Sequence, residues 1–309
     1  AAEKHGFDSI VVSDHFHPWK DTDGHAPFSF AWLGAVGART TRARLGTSVV
    51  TPTFRYHPAI VAQAFATLGA LFPRRVFLGV GSGESMNETP VTGDAWPPPG
   101  ERLQRLGEAI ELIKKLWADD YVTWTGKYYR TAAAKIFDKP REPVPIFIAA
   151  AGPKAAEQVG KLGDGFICTS GKGMELYRDV LIPNLEKGAR AAGRDPAGIE
   201  RMIEIKVSFD ADRDRALADT REWAALALPA EDKAGVEDPR EMERRAAGAA
   251  DNAHKRFIVT NDPAECVAQI EPYLALGFTH LVFHFPGKDQ ERAMRQYAAE
   301  VLPLLRKRA

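Results

Sequence analysis

Short runs of β-branched and apolar residues alternate along this chain with longer amphipathic segments. The apolar runs fall at residues 9–13, 44–50, 76–80, 144–148, 165–168, 203–209 and 281–285. Most are apolar nearly throughout, the pattern of parallel strands buried on both faces. Between them, residues 101–118 carry Leu103, Leu106, Ile110, Ile113 and Trp117 at steps of three and four, which puts all five on one helical face. Residues 175–193, 262–276 and 288–307 are patterned in the same way. Such alternation predicts right-handed βαβ units around a parallel sheet.

Seven strands are one short of a (β/α)8 barrel. Residues 1–6 read as the tail of a helix with its glycine stop at Gly6, so the eighth strand is expected upstream of Ala1. The expected fold is therefore α/β: one TIM-type (β/α)8 barrel domain over residues 1–309, without its N-terminal first strand. A doubly wound open sheet competes with it, but would usually need fewer strands. The chain also has no Gly-x-Gly-x-x-Gly turn to mark a dinucleotide site. Insertions break the alternation at about 119–140 and 221–256. The first holds a hairpin over 121–130, turning at Thr125-Gly126-Lys127; the second is charged, helical and strandless, and reads as a lid over one mouth. Pro97-Pro98-Pro99 is expected to stiffen the approach to the 101–118 helix.

Charge narrows the function. Lys and Arg total 41 against 41 Asp and Glu, so no basic excess invites nucleic acid. No run approaches the roughly 18 apolar residues of a membrane span, and no secretory signal is visible, so a soluble, cytoplasmic protein is expected. Cys168 and Cys266 form no disulfide framework and read as small buried hydrophobes. The eight histidines are scattered without metal-site spacing, so no metal is expected. There is no Gly-x-Ser-x-Gly nucleophile elbow.

In a βα barrel, chemistry gathers at the carboxyl ends of the strands. The segments found there are 14–19 (Asp14-His15-Phe16-His17-Pro18-Trp19), 51–56, 81–88, 149–153 and 169–173. They are rich in titratable, hydroxyl and glycine residues, while the strands feeding them are apolar. His15 beside Asp14 suits acid–base work because imidazole titrates near neutrality; a satisfied surface histidine beside a capping aspartate is the alternative. Glu84 follows a glycine-rich turn and could act as an acid beside an apolar ligand. A carboxylate at a helix N-terminus is the alternative there, and is the preferred reading of Glu88. Thr169-Ser170-Gly171-Lys172-Gly173 resembles a small phosphate nest without being a Walker A loop. Lys233, Lys255 and Arg256 could join Lys172 around an anion, although each taken singly reads as a solvated charge.

Several of these segments are specific enough to resemble one family. Residues 13–19, 45–49 with 51–56, 79–84, 163–172, 202–206 and 280–284 are similar to the F420-dependent glucose-6-phosphate dehydrogenases of the luciferase-like superfamily. The resemblance runs through essentially the whole chain. It implies a deazaflavin ring of F420 held at the barrel mouth against a non-proline cis peptide at Ser48–Val49. It makes Asp14, Ser48, Val49, Ser82, Asn87 and Gly152 cofactor contacts. It gives His15 the proton of the sugar hydroxyl, lets Trp19 shape the site, and makes Glu84 the proton donor to the ring. Thr169, Lys172, Lys233 and Arg256 match a sugar-phosphate clamp. The implied reaction is oxidation of glucose 6-phosphate, or a close hexose 6-phosphate, by hydride transfer from C1 to C5 of F420, in a homodimer. Another F420-dependent alcohol dehydrogenase, for instance one acting on a hydroxylated mycolic acid, an FMN-dependent monooxygenase of the superfamily and a non-catalytic barrel remain the alternatives.

Overall fold

The computed structural model describes residues 1–308. Its strands are β1 (Ser9–Val12), β2 (Arg44–Thr47), β3 (Val76–Val80), β4 (Val122–Thr125), β5 (Arg130–Ala134), β6 (Ile146–Ala149), β7 (Gly165–Thr169), β8 (Glu200–Phe209), β9 (Ile258–Thr260) and β10 (His280–His284). The helices used below are α1 (Ser29–Gly37), α2 (Pro58–Leu71), α3 (Ser85–Thr92), α4 (Pro99–Ala118), α5 (Pro153–Leu162), α6 (Ile182–Ala191), α7 (Arg213–Asp219), α8 (Ala230–Lys233), α9 (Pro239–Ala246), α10 (Pro263–Ala275) and α11 (Gln290–Glu300). Parallel ladders join the strands in the order β1-β2-β3-β6-β7-β8-β10. These are the seven strands expected from the sequence, and they form a nearly closed barrel of the TIM type.

No ladder joins β1 to β10. The seam between them is crossed by side chains instead. Ser9 Oγ and His280 Nε2 lie 2.8 Å apart, and the Phe7 ring stands edge-on to Phe283 and Phe285 at 6.4 and 6.2 Å. Besides β7, the long strand β8 serves two partners: residues Met202–Lys206 are in register with β10 and Val207–Phe209 with the short β9. Two apolar residues and a threonine after a helical insertion gave β9 too weak a pattern to be read in advance. The expected helix at 175–193 starts as a π-turn over Leu176–Leu181 before α6, and the one at 288–307 divides after Glu300, ahead of Pro303. Residues Ala2–His5 form a helical turn closed by Gly6 in the left-handed region, as the sequence indicated. Both cysteines are buried and unpaired.

Alternation along the strands fills the barrel in layers. The lowest is polar, with Arg44 Nη1 and His280 Nδ1 holding Glu200 Oε1 at 2.7 and 3.0 Å. Above it Phe77, Phe147, Ile167 and Met202 are buried together, flanked by Val11 and Val282. The Phe77 and Phe147 rings lie 4.9 Å apart. Glycine is required beside them: a Cβ on Gly46 would come within 2.5 Å of the Phe77 ring, and one on Gly165 within 2.4 Å of Phe147. The third layer, at the carboxyl ends, carries Thr169 and Glu204, with Lys206 and His284 one step higher.

The first insertion is the antiparallel hairpin β4–β5, tied to α4 where Glu108 accepts from the backbone N–H groups of Tyr128 and Tyr129 at 3.0 and 2.9 Å. The second runs as short helical turns from Thr220 to Arg256 and includes α8 and α9. It has its own small core, in which Ala225, Leu228, Val236, Met242 and Ala246 pack with Met86 of α3 and with Trp19. Those two partners belong to the strand-end segments, so the insertion rests on the mouth as the lid reading requires.

Candidate active site

The segment after β1 is held by α3. Asn87, which is buried, accepts through Oδ1 from the N–H groups of Phe16 and His17 at 2.9 and 3.2 Å, and this fixes the loop that carries His15. His15 Nδ1 lies 3.1 Å from the His17 carbonyl and 3.3 Å from Asn87 Nδ2. Nδ1 makes both contacts, which leaves Nε2 as the ring nitrogen turned toward Glu84. That nitrogen is 4.0 Å from Glu84 Oε2. The Glu84 side chain is 48% exposed and sits at the N-cap of α3 without capping it. His15 and Glu84 therefore stand side by side at one opening.

Beneath this pair lies a charge cluster that sequence reasoning missed. Arg55 pairs through Nη2 with Asp14 and through Nη1 with Glu88. Its Nη2 also donates to the Asp14 carbonyl at 3.0 Å. Asp14 accepts in addition from the Ser29 hydroxyl at 2.6 Å. The Asp14 carboxylate is thus turned into the protein rather than into the mouth, with 1% of its side chain exposed. Glu88 does lie in the first turn of α3, but its partner is Arg55 and not the helix end. Burial pushes its carboxyl up to about 7, against the pull of Arg55. Three segments meet here: the His15 loop, the loop after β2 and helix α3.

On the β2–β3–β6 side the mouth is lined by small groups. The Ser48–Val49 peptide is cis, as the resemblance implied, and both residues are half-buried. A Cβ on Gly81 would meet Val49 Cγ2 at 2.5 Å and Ala149 Cβ at 3.8 Å, so these three residues adjoin. Gly152, at the start of α5, faces open space, with nothing within 4 Å of where its Cβ would be. Ser82 is half-buried in the turn before Gly83, whose φ of 85° favours glycine. A flat ring laid against Val49 would meet Gly81 and Ala149 rather than bulky side chains.

The opposite side is cationic. Burial, together with Arg256, Lys172 and Lys206, pushes the Lys233 ammonium down, while Glu84 acts the other way. Those four charged neighbours place Lys233 in one electrostatic neighbourhood with the nest and with Glu84. Its Nζ stands 5.7 Å from the centre of the Trp19 ring. The backbone carbonyl of Arg256 would lie 3.5 Å from a Cβ on Gly171, and its Nε is buried without a hydrogen-bond partner. Lys172 is exposed. The Thr169 hydroxyl accepts from Lys206, whose side chain is only 4% exposed. The scattered cations of the sequence thus converge on one side of the mouth that also holds His15, Glu84 and Trp19.

Lys206, Glu204 and His284 were not singled out as site residues in advance. The alternation Glu204-Ile205-Lys206 in an otherwise apolar strand was the available signal, since period-2 polar positions share one face. No group of His, Cys, Asp and Glu suited to a metal occurs among the described residues.

Residues 1–280 match the family described as luciferase-like monooxygenase. The chain belongs to that family. Among its luciferase-like relatives, a protein of Nakamurella multipartita called F420-dependent glucose-6-phosphate dehydrogenase is 56% identical over 307 residues, covering 99% of this chain and 90% of the relative. One of Nocardia farcinica with the same name is 56% identical over 308 residues, covering 99% and 91%. Among solved structures, an F420-dependent secondary alcohol dehydrogenase in complex with an F420–acetone adduct superposes with a TM-score of 0.91 at 36% identity, covering 98% of this chain and 92% of that one. The F420-dependent tetrahydromethanopterin reductase of Methanopyrus kandleri shares the fold, with a TM-score of 0.80 at 22% identity, covering 98% and 93%.

Proposed function

We propose that this luciferase-like barrel is an F420-dependent dehydrogenase that oxidises glucose 6-phosphate to 6-phosphogluconolactone. The observation that carries the reading is the joining of an acid–base pair, His15 and Glu84, to a four-cation wall in one mouth. A phosphomonoester dianion explains that wall where a simple secondary alcohol would not. The names of the relatives at 56% identity point the same way.

The residues present fit the cofactor. Its deazaflavin ring would lie along the half-buried Ser48–Val49 peptide, over Gly81 and Ala149, with Ser82 and Gly152 along its path. When bound, F420 supplies the hydride acceptor at C5. Asn87 and Asp14 serve this arrangement mainly from below, by fixing the loops. Thr169, Lys172, Lys233 and Arg256 grip the phosphate and so fix where the sugar's C1 lies. The free Nε2 of His15 then accepts the proton of the C1 hydroxyl as hydride leaves. Glu84, exposed and beside that nitrogen, donates on the ring side. Trp19 closes the site where the loop after β1 meets the lid. Holding the reacting groups in place in this way is the main service a protein offers a cofactor reaction. The same reading makes the protein a cytoplasmic homodimer.

The test is direct. The purified protein is mixed with F420 and glucose 6-phosphate, and the absorbance of the oxidised deazaflavin is followed. Loss of absorbance that depends on the sugar phosphate is expected. Reduction with an unphosphorylated secondary alcohol but not with the sugar phosphate would move the assignment to that substrate class, and binding of FMN instead of F420 would move it to the monooxygenases.

A further inference from the structure

Above the aromatic layer, on the floor of the mouth, stands a carboxylate that the reaction as described leaves unused. Glu204 follows Met202 on the inward face of β8 and is level with Thr169 on β7 and Val282 on β10. His284 Nδ1 donates to its Oε1 at 2.8 Å, and Lys206 Nζ approaches its Oε2 at 3.3 Å. His284 is itself fixed, because Trp223 stands edge-on to it at 4.3 Å and Phe257 at 5.6 Å. Lys206 is locked between Glu204 and Thr169.

Although its neighbours are enclosed, the Glu204 side chain is 29% exposed. A carboxylate has about four acceptor positions. His284 and Lys206 use two and the Thr169 hydroxyl a third, and the exposed part of the group leaves room for one more donor. Burial alone would raise its pKa, but the hydrogen bond from His284 and the charge of Lys206 outweigh it and hold the group at about 2. Glu204 is then always an anion and can only accept. A phosphate would be repelled by it. A neutral hydroxyl, placed beside the phosphate-gripping cations, is the group it suits.

We infer that Glu204 contacts substrate directly, accepting a hydrogen bond from a ring hydroxyl of the bound sugar, with His284 and Lys206 as the positioning residues that aim it. This rests on the sugar-phosphate reading above and adds a second point of recognition to it. The phosphate wall reads one end of the substrate, and Glu204 reads the hydroxyl pattern of the ring.

The experiment compares kcat/KM for glucose 6-phosphate and its singly deoxygenated 6-phosphate analogues, in the wild-type protein and in Glu204→Gln. Removing the one hydroxyl that meets Glu204 is expected to cost the wild type on the order of 10- to 100-fold, as for a hydrogen bond to a charged group. In Glu204→Gln that penalty is expected to shrink toward unity while F420 affinity stays the same. A wild type equally tolerant of every deoxy analogue would overturn the inference and needs no variant to fold. The same deoxy penalties in Glu204→Gln as in the wild type, with F420 still bound, would overturn it too and leave Glu204 as a counter-ion of Lys206. A wild type that oxidised no sugar phosphate at all would sink the functional reading and this one with it, which is a different outcome from either.

Discussion

Arg55 Nη1 and Glu88 Oε1 meet at 2.5 Å, with only 4% and 1% of the two side chains exposed. Through its other nitrogen the same guanidinium holds Asp14, which precedes His15 in the chain. One cation thus joins the base-bearing loop to the helix that carries Glu84 and Asn87.

Removing that cation strands two buried carboxylates. Arg55→Met is therefore expected to destabilise the fold by about 3–5 kcal/mol, the usual result of breaking a buried pair from one side. Urea or thermal unfolding would measure it. Arg55→Lys keeps the charge but loses the fork that reaches both acids, so it should recover part of the stability and less of the activity. Equal stability in all three proteins would mean that the cluster holds nothing together.

Glu88 makes stability fall with rising pH. Its carboxyl sits at about 7 in the folded protein against an ordinary 4.5, because burial outweighs Arg55. Between those values the folded state keeps a proton that the unfolded state has released, so stability is lost as pH climbs from about 4.5 to about 7. Glu88→Gln should flatten this part of the profile of melting temperature against pH. An unchanged slope would assign it to another group.

His15→Ala removes the free Nε2 while leaving both the floor and the cationic wall. It is expected to lower kcat by about 10²- to 10⁴-fold, the usual contribution of a positioned acid–base group, with F420 affinity held within a few-fold. Steady-state kinetics and a cofactor titration separate the two effects. A loss confined to KM would instead make His15 a binding residue.

Lys172→Ala and Lys233→Ala should each raise the KM for sugar phosphate by about 10- to 100-fold, from the loss of a hydrogen bond to a charged group, with little change in F420 affinity. Higher salt should weaken substrate binding in the wild type more than in either variant. Equal losses for both ligands would count against the clamp.

The barrel was legible because parallel strands buried on both faces leave continuous apolar runs such as Val76–Val80, and because helix α4 repeats its apolar face over several turns. The mouth was legible where chemistry-bearing residues bunch behind one strand, as at Asp14 to Trp19. What joins distant segments was not. Arg55 sits among turn residues and gains its meaning only from Asp14 and Glu88, 41 and 33 positions away. β9 is three residues long and exists because β8 outruns β10. The site use of Glu204 and His284 depends on strands 80 positions apart lying side by side. Neither propensity nor periodicity reports such pairings.

The ring of Phe77, Phe147, Ile167 and Met202 works as an insulating bung across the barrel. Below it, Arg44 and His280 hold the Glu200 carboxylate near 2; above it Glu204 is held equally low by different partners. The buried hydrocarbon of that ring separates the lower trio from the groups of the mouth. Lesions at Arg44 or His280 should therefore alter how long the enzyme survives rather than how fast each surviving copy turns over.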